Sequence, residues 1–407
     1  MRGSYRQKRT MKIRDSKRPW AVAAALLVLL LAVVVAERAQ FARAAGVFLA
    51  DEAQLSFSRM GNTSAADAEE IPAARAGAAH APVPEAVRAV YMTQCAVGTP
   101  SLRDSLVQFV EETELNAVVI DIRDYTGMIS FKTDDPLLKP YVSDACGASD
   151  MAGFIEELHH KGIYVIGRIT VFQNPAYTKN HPDQAVQKKG GGVWKDRKGL
   201  AFVDVGAKPY WETVTRLSQI SYDLGFDELN FDYIRFPSDG DMAAAEYTLS
   251  RGKEKPVALE EFFRYLHEHL QPQGSTPGTD APILSADLFG MTATNQDDLN
   301  IGQVLERALP YFDYIDPMVY PSHYPRGFND YKDPNAHSYD IVKFSMDAAV
   351  RRALATTTPI ASFAYTPIPR TSTSSPQLYA KPSYPASKMR PWLQSFDYPV
   401  TYTSAMV

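Results

Sequence analysis

From about Val87 onward, apolar stretches of strand length alternate with amphipathic stretches of helix length. The strand-length runs are RAVYMTQ (88–94), AVVIDIRD (117–124), YVIGRITVF (164–172), ELNFDYIRF (228–236), PILSADLFG (282–290), YIDPMVYPS (314–322) and RPWLQSF (390–396). Between them the apolar spacing predicts helices over 101–114, 150–161, 208–224, 258–270, 298–309 and 339–354. Within a strand, side chains alternate between faces. In FDELNFDYIRFP (226–237), Glu228, Asn230 and Asp232 therefore share one face, and Leu229, Phe231 and Tyr233 the other.

Strand and helix in alternation mean parallel strands joined by crossover helices, an α/β chain. A closed (β/α)8 barrel competes with an open doubly wound sheet. The turn after the first strand, MTQCAVGTPS, carries neither G-x-G-x-x-G nor a P-loop, which favours the barrel. Asp121, Arg168, Asp232, Asp287 and Tyr320 all sit late in their strands, the end that faces the mouth of such a barrel. The long connections 173–206 and 237–257 then lie on that same face. QKKGGGVWKDRKG (187–199) reads as a hairpin or flap carrying Trp194. The proline-bounded run 358–367 and the Ser, Thr and Pro-rich stretch to Pro385 read as an inserted loop with a short edge strand.

The N-terminal pattern is different. The first eighteen residues hold eight Lys or Arg and one Asp, followed by AVAAALLVLLLAVVVA (21–36). This predicts a transmembrane signal anchor over 19–36, with the basic segment 1–18 left in the cytoplasm. An Ala-rich linker or stalk over 37–86 leads to a single domain, 87–407, outside the cytoplasm. The alternative is a signal cleaved near FARAAG (41–46) and a secreted protein.

Composition adds two points. With 45% hydrophobic and 22% charged residues, the chain is that of a folded protein. Removing the +7 of residues 1–18 from the net charge of −5 leaves about −12 on the remainder, the wrong sign for a nucleic-acid partner. Cys95 and Cys146 are the two cysteines. Two separate buried thiols is the plainer reading, with a bridge open to an exported chain.

The strand-end carboxylates Asp232, Asp287 and Asp121 are the candidate chemistry. Glycoside hydrolysis needs one carboxyl to protonate the leaving oxygen and another as nucleophile or base. Arg168 would hold a carboxylate or a substrate group, beside Asn230. Tyr91, Tyr320, Trp194, Trp392 and His323 are candidate substrate contacts, although aromatics also fill cores. The structural alternative has the carboxylates paired with Arg123, Arg168 or Arg235; Asp124 and Asp316 fit that role. Histidines are scattered, His267 and His269 diverge on a helix, and no H-E-x-x-H or C-x-x-C occurs, so a metal-dependent deacetylase is disfavoured; no G-x-S-x-G occurs, so a serine esterase has no support, and neither a metal nor another cofactor is expected.

AVVIDIRDYTGMISF, GFDELNFDYIRFPSDG, SADLFG, DPMVYPSHY and KMRPWLQSFDYPVTY, in this order, resemble a family of bacterial exported or membrane-anchored, glycoside-hydrolase-like TIM-barrel proteins. The resemblance implies a (β/α)8 barrel with Asp232 as nucleophile or base and Asp287 as acid, roles that exchange readily, and Asp121 as alternate. Family members continue past RPWLQ into a further helix and strand. The chain is therefore expected to be C-terminally truncated, lacking the last helix and eighth strand. Two functions follow: hydrolysis of a cell-surface or extracellular polysaccharide, or a non-catalytic carbohydrate-binding or envelope-scaffold role. Carboxylates facing one cleft favour the first; carboxylates each held by an arginine favour the second.

Overall fold

The computed structural model describes residues 78–370 and 372–397. Its strands, in chain order, are β1 (Ala89–Met92), β2 (Ala117–Arg123), β3 (Tyr164–Thr170), β4 (Gln187–Lys188), β5 (Glu228–Asp232), β6 (Ala245–Glu246), β7 (Ile283–Phe289) and β8 (Tyr314–Met318). Six of them form one parallel sheet in the order β1-β2-β3-β5-β7-β8. Helices Pro100–Glu111, Met151–His160, Lys208–Asp223, Lys255–Leu270 and Ser338–Leu354 fall where the apolar spacing puts them. Three of these five carry proline in the first turn, where its missing N–H costs nothing. The helix expected over 298–309 shrinks to Leu305–Ala308. Leu299, Asn300 and Gly302 have positive φ, which an α-helix does not tolerate.

Beyond β8, residues 389–392 run parallel to it through two isolated bridges, Ile315 with Met389 and Met318 with Trp392. The expected seventh strand is thus a short docked segment, because Pro391 cannot donate to a ladder. The Trp392 ring meets Tyr91 of β1 edge to face, 6.2 Å between centroids. The segment docked beside β8 thus reaches β1 at the far end of the sheet, so the sheet is curled: an α/β half-barrel with its helices outside.

Alternation sorts the strands. Val118, Ile120, Ile122, Val165, Ile169, Leu229, Phe231, Leu284, Ala286 and Leu288 pack against the helices. At Gly167 a β-carbon would lie 2.2 Å from Ile122 Cδ1, so the outer face of β3 has room only for glycine there. The inner face is polar except at its floor, where Ala117, Val119, Tyr164 and Ile166 pack with Ala81, Val83, Val87 and Trp392. Asp227 fastens the chain below β1, accepting from Ala81 N (2.6 Å), Val165 N (2.8 Å) and His159 Nε2 (3.0 Å).

Cys95 and Cys146 form a disulfide, Cα to Cα 4.5 Å, against the plainer reading of two separate thiols. It joins the turn after β1 to the loop after β2, two segments that sequence distance kept apart. The long loops are joined as well: β4 pairs antiparallel with β6. The 358–367 region folds as expected of an inserted loop, contributing strands β9 (Thr357–Thr358) and β10 (Thr366–Pro367), which with β11 (Tyr379–Ala380) make a small antiparallel sheet. Among the described residues no helix is long and apolar enough to cross a membrane. The anchor expected over 19–36 and most of the Ala-rich segment lie outside the described residues.

Candidate active site

Neighbouring inner strands carry Asp121, Arg168, Asp232 and Asp287 to one level near the C-terminal ends of β2, β3, β5 and β7. Parallel register explains the convergence: Asp121 lies opposite Arg168, and Thr170 opposite Asp232. Arg168 donates from Nη1 to Asp121 Oδ1 (2.6 Å) and from Nη2 to Asp232 Oδ2, while its Nε lies 3.9 Å from Asp287 Oδ2. Tyr91 Oη donates to the other oxygen of Asp121, and the Tyr91 ring lies 5.5 Å from the guanidinium. All three residues are at most 4% exposed.

Asp287 is held differently. Its Oδ1 accepts from Asn230 Nδ2 (2.9 Å) and from Trp392 Nε1 (2.7 Å), whereas among the described residues the cation nearest Oδ2 is Arg168 Nε, 3.9 Å away. Burial, followed by the charges of Asp232 and Asp316, raises its pKa well above the usual carboxylate range. Burial also raises Asp121, against the opposing pull of Arg168 and the Tyr91 hydroxyl. On Arg168, burial works against the charge, but Asp232 and Asp121 outweigh it and hold its pKa high. The arrangement thus sets Asp287, the carboxyl that burial and neighbouring charge dispose to keep its proton, beside Asp232, which a cation grips, two unlike environments of the kind that acid and nucleophile roles call for.

Below this level is a second arginine. Arg390 donates from Nη1 to Glu228 Oε2 (3.1 Å), from Nε to Asp316 Oδ1 (3.2 Å), and from Nη2 to both carboxylates, and it stacks 3.8 Å from the Tyr314 ring. Asn230 Nδ2 links the levels, reaching Ser285 Oγ (3.1 Å) and Asp316 Oδ2 (3.2 Å) as well as Asp287. Asp316 accordingly serves the framework, and so does Asp124, which accepts from Gln94 and from Thr126 N (2.9 Å). Of the three arginines considered as carboxylate partners, only Arg168 makes an ion pair among the described residues.

The chain turns sharply at Asp232. Tyr233 has φ 50°, a left-handed conformation costing about 1–3 kcal/mol in a bulky residue. In return its N–H reaches Asp232 Oδ1 (2.5 Å). Alternation therefore stops at Asp232: Tyr233 lies beside Phe202 and under Arg235 rather than continuing the outer face.

Tyr320 follows β8 within electrostatic reach of the site; burial, then Asp287 and Asp232, push its hydroxyl up. It lies 5.4 Å from His323 and 5.3 Å from Phe396, centroid to centroid, and burial lowers the His323 pKa. Trp194 is not part of this group. It is 2% exposed, packed on Phe202, and its indole donates to Asp241 O (2.8 Å). Sequence reading overlooked Arg390 and Gln303. Arg390 and Trp392 are two apart in RPW and so share a face, a usable signal. Gln303 had none: hidden in an expected helix, it braces the ends of β5 and β7 by bonding Phe289 N (2.8 Å), Ile234 O and Asp287 O (both 3.3 Å). Among the described residues no group of three or more His, Cys, Asp or Glu is placed to hold a metal ion.

A family model described as "Putative glycosyl hydrolase domain" matches residues 89–406. A hypothetical protein from Ruminiclostridium thermocellum is 30% identical over 49% of this chain and 96% of its own, with a TM-score of 0.43. The PgaB (BpsB) glycoside hydrolase domain from Bordetella bronchiseptica is 13% identical over 65% of this chain and 82% of its own, TM-score 0.45. An α-galactosidase from Thermus thermophilus is 13% identical over 68% of this chain and 49% of its own, TM-score 0.39. No curated protein matches.

Proposed function

We propose that this chain, which belongs to that family of glycosyl hydrolase domains, hydrolyses glycosidic bonds with Asp287 as acid and Asp232 as nucleophile or base. The observation that carries the reading is the surplus of buried carboxylate at the mouth, three around one guanidinium, with Asp287 alone leaving an oxygen without a close donor among the described residues. Asp287 Oδ2–H gives its proton to the glycosidic oxygen as the bond to the anomeric carbon breaks. Asp232 meets the developing positive charge at that carbon, either bonding to it or deprotonating the incoming water. Arg168 keeps Asp232 oriented, and Asp121 is the alternate should Asp232 serve only as a charge. Tyr91, Tyr320 and His323 line the approach.

In the same reading the half-barrel is the greater part of a (β/α)8 barrel. The anchored or secreted chain presents it outside the cytoplasm to a cell-surface or extracellular polysaccharide. One observation favours a second function: Arg168 grips both Asp121 and Asp232, as a non-catalytic carbohydrate-binding barrel would have it. Incubating the full chain with a polysaccharide panel, beside Asp232→Asn and Asp287→Asn, separates them. Release of new reducing ends by the wild type alone is expected. Binding without release by all three proteins would establish the second function instead.

A further inference from the structure

We propose that Trp392 is a positioning residue whose indole N–H confines the Asp287 proton to Oδ2, the oxygen that faces the leaving group. This rests on the reading of Asp287 as the acid. A carboxylic acid carries its proton on one of two oxygens, and only one of them is usable for a given substrate pose. Two N–H donors point at the same oxygen, Trp392 Nε1 at 2.7 Å and Asn230 Nδ2 at 2.9 Å from Oδ1. A proton on Oδ1 would oppose both donors; on Oδ2 it opposes no close donor among the described residues, since Arg168 Nε is 3.9 Å away.

The indole is itself well fixed. Trp392 N donates to Pro317 O (3.0 Å), Val319 N donates to Trp392 O (3.2 Å), and Arg390 N donates to Ile315 O (2.9 Å). Two residues earlier, the Arg390 side chain grips Glu228 and Asp316. Trp392 therefore links the segment docked beside β8 to the reacting oxygen, with its ring set against Tyr91.

Trp392→Phe keeps an aromatic ring and removes the donor. A hydrogen bond into a carboxylate favours its charged form, so losing it raises the Asp287 pKa further. The expected result is a roughly tenfold fall in kcat at unchanged KM, with the alkaline limb of the pH profile moved upward. Infrared difference spectra give a readout without turnover: a protonated-carboxyl band absent from Asp287→Asn, shifted in Trp392→Phe and persisting to higher pH. If the Phe variant does not fold, benzothienylalanine at position 392 keeps the shape of tryptophan and removes only the N–H. An unmoved band and titration would overturn the proposal, as would a raised KM with intact kcat, the mark of a stacking platform. Should the wild type hydrolyse nothing, the infrared titration still decides this inference, and only the hydrolase reading falls.

Discussion

The interior of the half-barrel holds two arginine-centred layers, and their contrast separates framework from site. In the lower layer Arg390 meets two carboxylates, Glu228 and Asp316, and all three nitrogens of its guanidinium donate to them. In the upper layer Arg168 meets three, and one of them, Asp287, remains nearly outside its reach. Exposure does not distinguish them, for the Arg168 and Arg390 side chains are 14% and 18% exposed. What differs is the balance of charge against donors. The better matched layer is a strut, and the larger surplus of carboxylate is the larger reservoir for a proton.

The largest test of this contrast exchanges the layers' acids one at a time. Asp287→Asn and Asp232→Asn should lower kcat/KM at least about a thousandfold, as expected of an acid or nucleophile. Asp287→Asn should leave the melting temperature unchanged or raised, since it removes a surplus buried carboxyl. Glu228→Gln, by contrast, should cost about 3–5 kcal/mol by denaturant titration, because it strips a partner from a buried ion pair. Stability losses of equal size in both layers would erase the distinction.

A smaller effect probes what holds the upper rim. The Cys95–Cys146 bridge follows directly on β1, whose Tyr91 bonds Asp121. Reduction should cost about 2–4 kcal/mol, visible as a lower melting temperature, and should depress activity further than stability alone explains. The smallest effect is a slope. Burial, opposed by Arg390 and reinforced by Glu228, pushes Asp316 up to about 6. The folded chain then binds this proton more tightly than the unfolded one. Its contribution to stability is full below about pH 4 and is lost as the pH rises through about 6. Asp316→Asn should flatten that slope in pH-dependent melts, and an unchanged slope would return Asp316 to an ordinary carboxylate.

The sequence made the framework readable where a single period governs. Alternation in ELNFD placed Glu228, Asn230 and Asp232 inward, and comparable strand-end positions brought Asp121, Arg168 and Asp287 to their level. It failed where one residue departs from the period. The left-handed Tyr233 ends the alternation one residue early, and positive φ at Leu299 and Asn300 cuts a helix to one turn. Long-range pairings were also hidden. Nothing local tells that Arg390, 162 residues after Glu228, is its partner, or that Trp194 spends its indole N–H on Asp241 in another loop.

That last contact has an implication for inheritance. β4 and β6 pair, Trp194 donates to Asp241, and a β-carbon on Gly240 would stand 3.0 Å from the Trp194 ring. The two long loops are thus a single exchangeable module. Recombination that imports one without the other leaves a buried indole N–H unanswered, whereas grafting both together carries the mouth's shape intact to a new barrel.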